Sequence, residues 1–88
     1  LAAYLSLSSN IVSTSVAIAS LNDQIVATNA LITYQQSMLT LMEQQYRLGA
    51  IAYSDVLTQQ TELAQTEATL PPLEQALAQS NHSLAVLL

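Results

Sequence analysis

Over the first half of the chain, apolar residues return every seven positions: Ile18, Ile25, Ile32, Leu39 and Tyr46. Leu21 and Met42 fall three residues after members of that row, with Thr28 and Gln35 at the equivalent places between them. A seven-residue recurrence with a companion position three further on is the seam of one helix packed along another. A strand cannot carry it, because strand faces repeat every two residues. A second row has the same period: Ala27, Tyr34, Leu41 and Leu48, with Leu31 and Met38 between its members and Gln24 and Gln45 continuing their line. On one side between the two seams run Asn22, Asn29, Thr33, Gln36, Thr40, Glu43, Gln44 and Arg47. A helix with one seam packs on one partner. A helix with two, on well-separated sides, is built to stand between two neighbours, as in a ring or sheet of helices. The competing explanation for the second row is the wide apolar stripe of an ordinary bundle helix.

The one sharp break is at Gly49, which follows the periodic run ending Tyr46-Arg47-Leu48. Glycine there suits the left-handed residue that closes many helices. Arg47 sits where a cation favours the negative helix end, and Glu43 lies four residues before it. Ser54 is in place to cap a second helix, with Asp55 in its first turn. The expected fold is all-α, one helical-hairpin segment over residues 1–88: a helix over about 2–48, a turn at 49–53, and an antiparallel, coiled-coil-like helix over about 54–88. Pro71-Pro72 removes two backbone donors and predicts a kink or break in that second helix. Its own seven-residue row is Val56, Leu63, Leu70, Leu77 and Leu84, flanked by Leu57, Ala64, Ala78 and Ala85. At equal rise Leu88 would reach back to about residue 14, leaving the first dozen residues without a partner in this chain. Two helices enclose little core of their own, so such a chain calls for further helices.

Composition excludes several classes. A single Gly and two Pro in 88 residues leave no material for the turns of a many-stranded sandwich or barrel. The net charge of −5, with one Arg and no Lys, argues against nucleic acid or anionic lipid as a partner. Without Cys there is no disulfide framework, thiol chemistry or Cys-based zinc site. The chain begins with Leu and shows no signal peptide, so it reads as a trimmed segment. Residues 1–22 carry no charge but include Ser6, Ser8, Ser9, Asn10, Ser13, Thr14, Ser15, Ser20 and Asn22. Spanning helices are predominantly apolar, so a transmembrane role is not expected there.

No catalytic constellation is visible. His82 is the single histidine, and its i±4 neighbours are Ala78 and Val86, not ligands. Glu62, Glu67 and Glu74 do not share one helix face, and the serines lack a base partner. No cofactor or metal site is expected. Met38 and Met42 read as gap fillers in packed seams.

The stretch Tyr46-Arg47-Leu48-Gly49-Ala50-Ile51-Ala52-Tyr53-Ser54-Asp55-Val56-Leu57 resembles the tip of a helical hairpin in the outer-membrane efflux protein family, the TolC/OprM-like channels. The continuation Leu63-Ala64-Gln65-Thr66-Glu67-Ala68-Thr69-Leu70-Pro71-Pro72-Leu73-Glu74 is similar to the NodT-type lipoprotein branch, as is the ending Ser83-Leu84-Ala85-Val86-Leu87-Leu88. The resemblance implies a periplasmic hairpin at the outer membrane of a Gram-negative bacterium. In that family three subunits form a helical tube, the passive exit duct of a tripartite pump for small molecules. It implies a homotrimer, a periplasmic adaptor that meets the hairpin tips, an inner-membrane transporter that supplies the energy, and no enzymatic activity. By position, the adaptor contact falls on Leu48, Gly49, Ala50 and Ile51. Ala50 stands where the family usually has a bulkier aliphatic residue, and Ala52 where it often has a capping Ser. Arg47 and Asp55 form a candidate charge pair across the tip, either simple helix-end electrostatics or a contact that holds the channel closed or meets the adaptor. The polar stripe on the first helix is either a lumen lining or an outer wet face.

A different class shares the outline: a free-standing secreted or scaffolding hairpin that acts by self-association or partner binding, similar to the small WXG-type proteins. This chain lacks their Trp-x-Gly turn. Cut from a tube, the hairpin could also pair with a second copy as a four-helix bundle.

Overall fold

The computed structural model describes residues 2–88. Among them are three helices and no strand: α1, Ala2–Arg47; α2, Tyr53–Glu67; and α3, Leu70–Leu87. The fold is all-α. Helix α1 runs without interruption because neither Gly nor Pro occurs before residue 49. Three of its hydroxyls bond within the helix: Thr33, Ser37 and Thr40 each donate to the carbonyl four residues back, at 3.1 Å. Thr58, Thr61 and Thr66 do the same in α2, at 3.0 Å.

The chain packs as two units, Leu1–Val26 with Pro71–Leu88, and Ala27–Leu70. In the second unit, the C-terminal part of α1 lies antiparallel on α2. Ile32 and Val56 are its buried residues, Val56 only 1% exposed. Thr28, Gln35, Leu39 and Met42 of the first seam are half-buried, and so are Gln59, Leu63, Thr66 and Leu70 on the other side. The register is visible in one bond: Gln59 Nε2 donates to the Gln35 backbone carbonyl at 3.3 Å.

In the first unit, the half-buried row is Ile11, Thr14, Ile18, Leu21 and Ile25 on α1, with Leu73, Leu77, Ser80, Leu84 and Leu87 on α3. Ser13, Thr14 and Ala17 share a groove with Ala76, Gln79 and Ser80, and Asn10 shares one with Val86 and Leu87. Helix α3 therefore reaches back to Asn10, beyond the residue 14 expected from equal rise.

The double proline separates two helices: Pro71 and Pro72 lack the N–H groups that would bond the Glu67 and Ala68 carbonyls four residues back. Helix α2 stops at Glu67, Ala68 and Thr69 form a turn, and Pro71 and Pro72 sit in the first turn of α3, where their missing N–H groups would be unpaired in any case. Thr69 holds that turn, donating to the Thr66 carbonyl through both its N–H (3.1 Å) and its Oγ1 (2.6 Å). Val56, Leu63 and Leu70 are buried or half-buried in one unit, and Leu77 and Leu84 are half-buried in the other.

The second apolar row lies outside this packing. Tyr34 is 62% exposed and Leu41 47%, with Leu31 also open and Met38 half-buried. With Leu31 and Met38 included, its centre lies roughly 130° around the helix from that of the first seam. One 18-residue window of α1 also reaches a mean hydropathy of 1.2, enough in length and composition to cross a membrane. Half-burial of Ile11, Thr14, Ile18, Leu21 and Ile25, with the residues between them exposed, is nevertheless the pattern of a helix packed on protein along one face.

Candidate functional site

The turn between α1 and α2 gathers every sequence-predicted site residue. Gly49 has φ +79°, the left-handed conformation that side-chain-bearing residues resist. A Cβ there would meet nothing within 4 Å, so glycine is required by the backbone and not by crowding. Around it the Gly49 N–H donates to the Tyr46 carbonyl (2.9 Å) and the Ala50 N–H to the Gln45 carbonyl (2.8 Å). This pair of bonds is the Schellman closure, which satisfies carbonyls that the helix end leaves open.

The far side of the turn is built differently. Ala52, with φ −79° and ψ 153°, is the N-cap of α2 and supplies no side-chain bond. Its carbonyl accepts the Asp55 N–H at 3.1 Å. Ser54, expected as a cap, lies inside the helix as its second residue, so its hydroxyl is not at the capping position. In place of a polar cap are apolar and aromatic groups. Ile51 and Val56 occupy the positions that flank a helix start as a hydrophobic staple. The rings of Tyr46 and Tyr53 meet with centroids 5.1 Å apart and planes tilted by 51°.

What the turn offers outward is therefore apolar and compact. Leu48 is 84% exposed, Gly49 and Ala50 are exposed, and Ile51 is half-buried. Arg47 lies in the last turn of α1 and Asp55 in the first turn of α2, each exposed and each at the helix end its charge favours. No ion pair joins the two. The Tyr46–Tyr53 contact was missed in the sequence. Its signal was there: an aromatic in the last turn of one helix and another at the first position of the next.

Chemical sites are sparse. Among the described residues no three His, Cys, Asp or Glu side chains gather as a metal would require. His82 is exposed. Glu62 lines an open groove with Thr28, Leu31, Gln35, Gln65, Thr66 and Thr69, a setting that gives the carboxyl neither a second carboxylate nor a base beside it.

Compared with known proteins, residues 1–88 match the family model described as outer membrane efflux protein. No curated protein and no solved structure matches the chain.

Proposed function

The chain belongs to the outer membrane efflux protein family, and from that premise we propose that it forms part of the periplasmic helical wall of a trimeric exit duct for small molecules. The observation that carries this reading is the open second edge of α1, Leu31, Tyr34 and Leu41. An apolar row at helical spacing, uncovered within the chain, suits a helix flanked by neighbours from other hairpins. The duct does no chemistry of its own; an inner-membrane transporter supplies the energy.

The tip is the contact for the periplasmic adaptor in this reading. Leu48 presents the apolar surface, Gly49 and Ala50 keep the backbone accessible beside it, and Ile51 lies at the edge of the packed base. Arg47 and Asp55, of opposite sign on either side, orient the approach of a polar rim.

The assembly is tested in the protein that carries this chain by Tyr34→Glu and Leu41→Glu. Both side chains are exposed here, so the helix itself should persist while the trimer dissociates on size-exclusion chromatography with light scattering. A trimer unaffected by both substitutions would remove the tube reading.

A further inference from the structure

The two ends of the tip loop are anchored unequally. On the α1 side, Gly49 and Ala50 are tied by two short backbone bonds to Tyr46 and Gln45. On the α2 side, the cap residue is alanine, and the single turn bond there is Asp55 N–H to Ala52. A capping side chain commonly supplies the second anchor at a helix start, and the N-cap of α2 has none. At that point Tyr53, the first residue of α2, lays its ring against Tyr46 in the last turn of α1. We infer that the Tyr46–Tyr53 contact is a clasp that fixes the tip loop in place of the missing cap, and so positions Leu48 for its partner.

Three features support the clasp. The ring pair spans the mouth of the loop, joining the last turn of one helix to the first residue of the next. The tilted geometry at 5.1 Å lies in the attractive range for aromatic pairs. Both rings are also about half exposed, so they act at the rim and do not form the packed base, which belongs to Val56. Tyr46 and Tyr53 are thus positioning residues; the surface offered to a partner is Leu48 and its neighbours. The consequence for docking rests on the proposed role of the tip, whereas the clasp does not.

The test uses the protein that carries this chain, with hydrogen–deuterium exchange followed on the tip amides, above all Ala50, and adaptor binding measured separately. Tyr53→Ala and Tyr46→Ala should each speed tip exchange at least tenfold, and Tyr53→Phe, which keeps the ring, should match the parent. Exchange unchanged in both alanine variants overturns the clasp, whatever binding does. Faster exchange with lost binding supports both the clasp and the docking role. Faster exchange with binding intact supports the clasp and removes the tip from the docking surface.

Discussion

Gln59 reaches across the helix pair to donate its Nε2 to the backbone carbonyl of Gln35, while the side-chain Oε1 of Gln35 is buried without a partner. The carbonyl gains a bond and the neighbouring amide oxygen loses its water. A buried acceptor left unpaired costs about 1–3 kcal/mol. Gln35→Leu should therefore stabilise the helix pair by about 1–2 kcal/mol, since it removes the orphan, adds apolar surface to the seam and spares the backbone bond. Chemical denaturation reads this directly. A destabilised variant would mean that Oε1 is satisfied in the working protein.

Gly49 provides a second measurement, free of packing effects. Because a Cβ there has open space around it, Gly49→Ala should lose only the cost of the left-handed backbone, about 1–2 kcal/mol. Gly49→Asn should lose less, since Asn tolerates that conformation better. Thermal unfolding of the three proteins should rank them Gly, Asn, Ala.

Ala52 is a vacancy in the capping scheme. Ala52→Ser would place a hydroxyl at the N-cap, three residues before Asp55, and should stabilise the chain by about 0.5–2 kcal/mol. The same substitution should weaken dependence on the tyrosine clasp. Tyr53→Ala in the Ala52→Ser background should then open the tip less than in the parent, a non-additivity that a double-mutant cycle measures.

At the tip, Leu48→Glu should abolish adaptor binding without changing helicity by circular dichroism, because the side chain is almost wholly exposed. Ile51→Glu is a poorer probe. Ile51 is half-buried at the staple position, so its charge should also lower the melting temperature. Binding that survives Leu48→Glu would exclude Leu48 from the contact.

Much of this arrangement was legible beforehand because side-chain period reports helix contact directly. Ile18, Ile25, Ile32 and Leu39 on one helix, and Val56, Leu63, Leu70, Leu77 and Leu84 on the others, are all buried or half-buried, whereas Tyr46, the last member of the first row, is 45% exposed. The helix stop at Gly49 could be read from chemistry alone, since few residues besides glycine accept its backbone angle. What escaped were offsets of a few residues. Ser54 outranks Ala52 as a cap on propensity, yet the tight turn begins α2 too early for Ser54 to serve. The break that the prolines impose opens just before them, at Ala68 and Thr69, because a proline disturbs the bond to the carbonyl four residues back and is at ease in a first turn. The reach of α3 to Asn10 is a matter of how the two helices pair, which no local pattern encodes. As for the tip, its residues could be named from the sequence, but the ring contact that braces them is a property of two helices together.

The open edge of α1 carries Ala27, Leu31, Tyr34, Met38 and Leu41, and not one ionic group. Whatever lies against it is held by area alone. Such a joint should ignore added sodium chloride, which screens only charges, tighten in sulfate, and slacken in the cold as water's aversion to hydrocarbon fades.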